Sequence, residues 1–568
     1  MLKQLFENDE NITHDYLEDS INKYFKLPIT YTKHEIIPET MNLDLELSKS
    51  IEDNKTFYEN VLDTNTENSK ILLDEWSKYY TDDSTYLKHS QILLKKMKLD
   101  IVNIDVNLDI LNDIYSNEEF DRKYDYINIK FFTSLNSNVL FLLLTSLYSL
   151  LSPISFILTP IYLLLIPIFS MFNHDSFSLT NYYNGLKVVI LGLSIFKIIY
   201  SEKFSDKCMH IMYVIILVLR IYLTLRGTYI FYHNIHSIQD NLSNLKIYLN
   251  NYLKNIESVN TIITKNDLTS YYAFNNTVQS NTNELIKLKD KLDKIQFPVN
   301  IYYDYKDLGN LRAIYYELKH NEELKIQITY SFGMYCYMDN IHKIQFKIKN
   351  KTLNSCIFTD HTSFKDAYYG MIDNPVKNSY SLKNNYIITG PNASGKTTFI
   401  KTTMLNIILS QQIGYGYYRK ANISLYEQLC CYLNIPDTSN RDSLFQLEAR
   451  RCKEILETVH GKKTLCIFDE LFSGTNPFEA TASSYAFLKY ITTKCTFLLT
   501  THFVDICDKF ENMNINNYHM KMIDNQYTYE LSDGKSDIKG GINVLKSMNY
   551  PDNIIKDATN FLIKKNIT

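Results

Sequence analysis

Apolar residues recur at helical spacing through most of the polar sequence. Residues 1–130 are rich in Asp, Glu, Asn and Lys, and their apolar positions lie three and four residues apart. The same spacing returns in residues 235–297 and in residues 308–340. Apolar side chains at this spacing form one face of a helix, so the pattern predicts amphipathic helices with little sheet. We expect a pair of long helices in each of the two later segments, the first pair broken near Asn266.

The middle of the chain has an almost continuous apolar pattern. Residues 139–172 contain no charged side chain, and about 20 apolar residues suffice to cross a bilayer as a helix. Two further apolar stretches follow at residues 186–200 and 209–225. We predict a transmembrane helical insert over residues 131–232 with two to four spans, an even number because polar helical sequence lies on both sides. The alternative is a buried helical hairpin in a soluble protein.

Short apolar runs, which predict strands, replace the helical spacing in the last third of the chain. A β-rich lead-in is expected at residues 344–358, and residues 386–388 are typical of a buried strand. Residues 390–397 then have the spacing GxxxxGK[ST], and residues 399–409 have a helical pattern. Strand, loop and helix in this order are the context that a P-loop requires.

The residues of this loop fit phosphate binding one by one. Gly390 and Gly395 allow the backbone to turn so that N–H groups and the helix N-terminus face the phosphates. Lys396 can reach the β- and γ-phosphates as a point charge, and the hydroxyl of Thr397 can hold Mg²⁺. We therefore predict ATP and Mg²⁺ as cofactors.

Two later apolar runs end in polar residues that suit the same chemistry. Residues 464–469 end in Asp469, which is followed by Glu470. The first carboxylate can hold Mg²⁺ through its water shell, and the second can orient the attacking water. Residues 496–502 end in His502, which we interpret as a sensor of the γ-phosphate. A structural histidine is the alternative.

Charge and cysteine content narrow the choice of partners. The net charge is −4 and the sequence pI is about 6.4, so no overall basic field indicates nucleic acid. A local cluster of Lys95, Lys96 and Lys98 leaves DNA possible as a partner. The nine cysteines begin at Cys208 and form no CxxC pair, which predicts reduced thiols rather than a metal site or a disulfide framework.

Five segments in the same order resemble one known family. They are TGPNASGKTT at 389–398, SLFQLE at 443–448, DELFSGTNPFEA at 469–480, TTH at 500–502 and GGINVLKSMNYPDNIIKDA at 540–558. Together they are similar to the ATPase domain of the MutS family of DNA mismatch-repair proteins, and the last one resembles the helix-turn-helix through which these domains dimerise. The resemblance covers residues 341–567 well.

The resemblance implies a role for each matching residue. Glu470 would be the catalytic carboxylate, with His502 as the sensor and Lys396 as the third catalytic residue. Thr397 and Asp469 would hold the metal. Ser443 would approach the nucleotide of the opposite subunit. The implied nucleotide-binding residues are Gly390, Pro391, Asn392, Ala393, Ser394, Gly395, Lys396, Thr397, Thr398 and Ser443.

Several features depart from the family pattern. We expect no N-terminal domain that reads mismatches, because we interpret the tripeptide Phe57-Tyr58-Glu59 as a helix face with a core aromatic rather than as the family's Phe-x-Glu wedge. Ala393 replaces the usual Met, and residues 473–476 read Ser-Gly-Thr-Asn in place of Arg-Gly-Thr-Ser. The apolar insert is similar to that of membrane-bearing relatives of MutS whose substrate is unclear.

The prediction is thus an α/β P-loop ATPase of the ABC/MutS type, preceded by an all-α stalk that carries a transmembrane insert. Its expected segments are a helical region at 1–130, the insert at 131–232, stalk helices at 233–340, the ATPase at 341–535 and a dimerising helix-turn-helix at 536–568. We expect a homodimer at a membrane, with lipid contacts, a cytosolic ATPase and ATP-dependent DNA binding. The alternative is a membrane-embedded mechanochemical ATPase that acts on lipid or protein without DNA.

Overall fold

The computed structural model describes residues 19–50, 55–63, 70–99, 114–115, 117–156, 179–192, 203–300, 304–433, 443–510, 515–523, 526–536 and 548–565, with a few isolated residues between them. The chain divides into two compact units. The first, here the helical unit, comprises residues 1–17, 102–253 and 281–328, and the second, here the sheet unit, comprises residues 18–101, 254–280 and 329–568. This division differs from the five segments expected above, whose boundaries stay predictions.

The first part of the sheet unit consists of short helices and a two-stranded antiparallel sheet. Its elements are β1 (Glu35–Ile36), α1 (Glu39–Asp44), α2 (Phe57–Leu62), α3 (Leu73–Trp76), β2 (Tyr79–Tyr80) and α4 (Ser84–Lys96). Phe57 and Tyr58 are buried in α2, and Glu59 closes a capping box with Thr56. These contacts confirm that the Phe-Tyr-Glu tripeptide is part of a helix with core aromatics.

The helical unit contains the apolar part of the chain. Its helices are α5 (Phe120–Lys123), α6 (Val139–Leu151), α7 (Leu179–Gly192), α8 (Phe204–Lys265), α10 (Asn283–Asp293), α11 (Asp307–His320) and α12 (Glu322–Lys349). Of these, α8 and α12 continue into the sheet unit, which also contains α9 (Tyr272–Ser280). The end of α8 at Lys265 confirms the predicted break near Asn266. The helix α12 continues past the predicted end at 340, so the first part of the β-rich lead-in expected at 344–358 is wrong: Ile344 is a buried residue of this helix. The last part is confirmed, because residues 354–358 form a strand.

One helix in the described part of the predicted transmembrane insert has the length and composition of a membrane span. Within the described part of the chain, α8 alone is long and apolar enough to cross a bilayer. The shorter α6 packs on α11, burying Leu142 and Ser146 and leaving Leu140 exposed. The number of spans therefore stays a prediction.

The remaining elements of the sheet unit form two sheets. The strands and helices are β3 (Asn354–Phe358), β4 (Ser363–Ala367), β5 (Asn378–Ser381), β6 (Asn385–Thr389), α13 (Lys396–Ile413), β7 (Tyr415–Gly416), β8 (Lys420–Ile423), β9 (Gln428–Tyr432), α14 (Leu444–Thr458), β10 (Thr464–Asp469), α15 (Pro477–Ile491), β11 (Thr496–Thr501), α16 (Asp505–Lys509), β12 (Ile515–Ile523), β13 (Gln526–Asp533) and α17 (Asp552–Lys565). The smaller sheet has the order β5-β4-β8-β3-β7.

The larger sheet, with the order β13-β12-β6-β11-β10-β9, positions the predicted site. Five consecutive strands of this sheet are parallel to one another: β12, β6, β11, β10 and β9. The sixth strand, β13, pairs antiparallel with β12. Every residue of β6 is buried, which explains the apolar run Tyr386, Ile387 and Ile388 at its centre. Because parallel strands end at the same edge, the residues that follow β6, β10 and β11 meet there.

The N-terminal helices are integral to the sheet unit because they pack on α13. Gln412 Nε2 donates to the carbonyls of Trp76 at 2.8 Å and Tyr79 at 2.6 Å. Gln411 Nε2 donates to the carbonyl of Thr81 at 3.0 Å. All three contacts are made by buried side chains, so they fix the position of the helix that follows the predicted P-loop.

Candidate functional site

The loop between β6 and α13 makes a tight turn and contains three residues with positive φ, the first of which is Gly390 with φ 157°. Ala393 has φ 61° and Gly395, the N-cap of α13, has φ 93°. A side chain on Gly395 would bring its Cβ to 3.0 Å from Cδ1 of Tyr529, so both the backbone angle and the close approach favour glycine. The first turn of α13 presents N–H groups that have no acceptor within the helix.

Lys396 is held at the mouth of this loop. Its Nζ donates to the carbonyl oxygens of Gly390 at 3.0 Å and Pro391 at 3.1 Å, and it lies 3.7 Å from Oε1 of Glu470. Burial lowers the pKa of Lys396, and the charges of Glu470 and Asp469 oppose that shift. The side chain is only 5% exposed, so these neighbours compensate for the loss of solvation.

Thr397 and Asp469 bring a hydroxyl and a carboxylate together. Thr397 Oγ1 donates to Asp469 Oδ2 at 2.8 Å, and Thr500 Oγ1 donates to the other carboxylate oxygen. The second contact follows from strand register, because Asp469 and Thr500 are direct neighbours on β10 and β11. Hard oxygen donors of this kind are the ligands that Mg²⁺ prefers.

Glu470 lies just beyond the strand end, where its backbone turns. It has φ 50°, and its N–H donates to the carbonyl of Thr500 at 3.0 Å. Nδ1 of His502 lies 3.5 Å from Glu470 Oε1. The hydrogen bond with His502 lowers the pKa of Glu470, and the charges of His502 and Lys396 act in the same direction. The carboxylate is therefore ionised at neutral pH.

These residues open onto a pocket of about 760 Å³. Of the residues predicted from sequence, it is lined by Asn392, Ala393, Gly395, Lys396, Thr397, Thr398, Asp469 and Glu470. Gly390, Pro391 and Ser394 complete the loop, and His502 reaches the site through Glu470. Ser443 does not line this pocket.

The opposite wall of the pocket was not predicted. It is formed by residues 367–380, with Tyr369, Ile372 and Pro375, and by Tyr529 of β13. Asn378 joins the two parts, because its side chain donates to the Tyr529 carbonyl at 3.1 Å and accepts from Leu531 N at 2.8 Å. This wall offers apolar and aromatic contact where the loop side offers charge, the combination typical of sites for amphipathic ligands.

The buried hydroxyl of Ser394 is evidence that the loop binds an anionic ligand. Among the described residues, Ser394 Oγ is buried and has no hydrogen-bond partner, and such atoms are rare in native proteins. Together with the positive-φ turn, the Thr397–Asp469 pair and the Lys396 ammonium, it forms a donor set that fits a nucleotide phosphate with Mg²⁺.

Ser443 and Glu448 belong to one helix. Ser443 caps α14 by accepting from Gln446 N at 3.4 Å. Glu448, one turn further and 2% exposed, accepts from Ser473 N at 3.0 Å, Ser473 Oγ at 2.9 Å and Gly474 N at 3.1 Å. The helix of Ser443 is thus bonded to the loop that follows Glu470, a role that the sequence motif alone does not reveal.

Replacing Glu448 with Ala should destabilise this loop, because two backbone N–H groups lose their buried acceptor. We expect a loss of unfolding free energy of about 2–4 kcal/mol, with Glu448→Gln intermediate because its amide keeps one acceptor oxygen. Thermal unfolding of the two variants measures this. The matched control is Glu454→Ala on the same helix, whose side chain is largely exposed; equal melting temperatures for Glu448→Ala and the control would contradict the assignment.

The protein is α/β, and its candidate site lies where the parallel strands of the larger sheet have their C-terminal ends. The loop after β6 and the carboxylates of Asp469 and Glu470 form this site. Residues 386–565 match the family model for MutS domain V, the ATPase-containing C-terminal region of that family. In this region the chain is similar to the MutS family, which confirms the resemblance inferred from its motifs. Residues 537–544, which include the start of the predicted helix-turn-helix, lie outside the described residues; α17 lies in its second half.

Proteins named for DNA mismatch repair are among the chain's relatives. The chain is 25% identical over 293 residues to "DNA mismatch repair protein MutS" of Acholeplasma laidlawii, covering 50% of this chain and 34% of the relative. It is 30% identical over 223 residues to "MutS protein homolog 4" of Mus musculus, covering 35% and 23%. It is 28% identical over 181 residues to the MutS protein of Staphylococcus haemolyticus, covering 30% and 20%. The chain therefore spans between 20% and 34% of the length of these relatives.

Proposed function

We propose that the pocket between the P-loop and Tyr529 binds ATP with Mg²⁺ and hydrolyses it. The observation that carries this proposal is the Thr397 hydroxyl 2.8 Å from the Asp469 carboxylate, beside a buried Lys396 that lies 3.7 Å from Glu470. When bound, Mg²⁺ supplies charge compensation at the transferred phosphoryl group. Thr397 and Asp469 would hold the ion, and the first turn of α13 would hold the phosphates.

Other residues of the pocket would position the attacking water and contact the phosphates and the base. Glu470, ionised at neutral pH, would accept hydrogen bonds from the attacking water and orient it. His502, 3.5 Å from Glu470, fixes the direction of that carboxylate and would sense the outermost phosphate. Lys396 would neutralise charge on the phosphates. Tyr529, Ile372 and Pro375 would contact the base, because they form the apolar end of the same pocket.

The simplest experiment is the ATPase rate of the detergent-purified full chain with Mg²⁺ and after its removal by a chelator. We expect hydrolysis that depends on Mg²⁺ and returns when the ion is restored. A preparation that binds no nucleotide at millimolar concentration would contradict the proposal.

We further propose a homodimer in which Ser443 approaches the nucleotide of the opposite subunit, as the family resemblance implies. Ser443→Ala should lower the ATPase rate of dimers severalfold while leaving nucleotide affinity within each subunit unchanged. Because Ser443 also caps α14, the variant loses about 1 kcal/mol of helix stability. Gln446→Ala is the control, since it removes the reciprocal capping contact and keeps the hydroxyl; equal rates for both variants would exclude the trans contact.

DNA is the proposed partner because the relatives quoted above carry DNA mismatch repair in their names. The ATPase rate measured with and without duplex DNA across a salt series tests this. Stimulation that fades as salt rises indicates contacts to phosphates. A rate that ignores DNA and responds to lipid would favour the alternative, a mechanochemical ATPase acting on lipid or protein.

We also propose that the chain is anchored in a membrane with the ATPase on the cytosolic side. The support is the first part of α8, where Ile211, Ile215 and Val218 expose their side chains on an 18-residue apolar stretch of mean hydropathy 2.0. A helix that is apolar on all sides is unfavourable in water. Flotation of the full chain with phospholipid vesicles through a density gradient tests this; recovery of the protein below the vesicles, at high and low salt, would contradict it.

A further inference from the structure

Three segments of the sheet unit gather lysines at the ends of helices. They are residues 95–98 after α4, residues 254–265 at the end of α8 and residues 343–351 at the end of α12. They contain nine lysines and a single acidic residue, Glu257, in a chain whose net charge is −4. These three segments are called the lysine surface below.

Polar contacts hold the segments of the lysine surface together. Gln345 Nε2, on α12, donates to the carbonyl oxygens of Leu94 and Met97, each at 2.8 Å. Lys96 Nζ donates to the side-chain oxygen of Asn266, just beyond the end of α8. Lysines often lie at a helix C-terminus to bind its last carbonyls. Here Gln345 provides that cap for α4, so capping alone does not account for the lysines.

A groove of about 470 Å³ lies between two of the segments. Lys96 and Lys98 line it from the end of α4, and Lys254 lines it from α8. Ser258, Thr261 and the carboxylate of Glu257 also line it, so three ammonium groups share the groove with one carboxylate. Cationic groups on both sides of a polar floor create a positive potential that attracts anions.

The side chains indicate which kind of anion fits. The three segments contain no arginine, the residue that reads base edges through bidentate hydrogen bonds. Lysine ammonium groups are point charges suited to phosphates. Phe346, between Lys343 and Lys347 in sequence, is 64% exposed and offers an apolar contact beside them.

We propose that the lysine surface binds the phosphate backbone of duplex DNA without sequence preference. The inference rests on the proposed DNA partner and assigns it a location in the chain. It deepens that proposal, because contacts made by lysines alone carry affinity and salt dependence but no base recognition.

The test is equilibrium binding of a fluorescent DNA duplex to the full detergent-solubilised chain from low to physiological salt. The variant is the triple substitution Lys96→Gln, Lys98→Gln and Lys254→Gln. The matched control is Lys365→Gln, Lys383→Gln and Lys420→Gln, which removes the same charge from exposed positions around the smaller sheet. The ATPase rate without DNA and the melting temperature of each protein establish that folding and the nucleotide site are intact.

We expect the triple variant to bind DNA at least about tenfold more weakly at moderate salt, with a slope of log affinity against log salt lower by about 3. The control triple and a charge-preserving Lys→Arg triple at the three positions should bind like the unchanged chain. If the unchanged chain binds DNA and the triple variant binds equally well, the lysine surface is not the site although the DNA partner stands. If the unchanged chain binds no DNA even at low salt, the DNA partner itself fails and the inference fails with it.

Discussion

Glu470→Gln should abolish ATP turnover while leaving ATP binding intact, with a fall in kcat of about 10²–10⁴-fold. The amide is nearly the same size as the carboxylate, so it keeps the space beside Lys396 and can still hydrogen-bond to His502. It cannot attract the proton of a water molecule as an anion does. We expect nucleotide binding to persist, because in the proposed site the loop N–H groups, Lys396 and Thr397 hold the phosphates and the metal without this carboxylate.

Two measurements separate the parts of this prediction. Binding of a fluorescent ATP analogue should stay within a few fold of the unchanged chain, and phosphate release should fall to background. Glu457→Gln on the exposed side of α14 is the control for loss of a negative charge from the same unit. Turnover by Glu470→Gln at half the original rate or more would show that another group orients the water.

The strands of the site could be predicted because their sequences are continuous apolar runs. The predicted strands at 386–388 and 464–469 match β6 and β10, and the strand at 496–502 matches β11 apart from its last residue. Parallel strands that are buried on both faces require such runs. In the structure Asp469 and Glu470 lie at the end of β10 and His502 follows β11, which places them at one edge of the sheet.

The first part of the predicted lead-in is helical for a local reason. Ile341 and Ile344 lie three residues apart on the buried face of α12, and this spacing continues the helical pattern to Lys349. Short apolar runs do not distinguish a buried helix from a strand by themselves. The first strand of the smaller sheet begins only at Asn354.

Residues that act through tertiary contacts left no signal in the sequence. Tyr529 lines the pocket opposite residues more than a hundred positions earlier in the chain. Gln411 and Gln412 are polar residues at core positions of α13, where they bind backbone carbonyls of the N-terminal helices. Such pairings depend on how distant elements pack, and local periodicity does not report that packing.

Arg312 is a further residue of this kind, and its environment explains why its loss should be costly. It lies in the helical unit at 1% exposure, on α11. Its guanidinium donates to the hydroxyls of Thr145 at 2.9 Å and Ser146 at 3.1 Å, and to the carbonyl of Asp125 at 2.8 Å. The carbonyls of Leu142 and Tyr124 are further acceptors. One side chain thus bonds α6 and the segment after α5 to α11.

Arg312→Met should therefore lower the unfolding free energy of the helical unit by about 3–5 kcal/mol, because the methionine fills similar volume and leaves buried acceptors without donors. Arg312→Lys should recover only part of the loss, since a single ammonium cannot reach both groups of acceptors in the way a planar guanidinium does. Limited proteolysis within residues 117–151 reports local opening of this unit, and chemical denaturation gives the free energy. Arg122→Met, at an exposed position of α5, is the matched control. If the two methionine variants resist protease equally, Arg312 does not hold α6 to α11. Apolar packing and the close approach of the helices at Gly309 would then hold them together, since a Cβ added at Gly309 would lie 2.4 Å from the Val139 carbonyl oxygen.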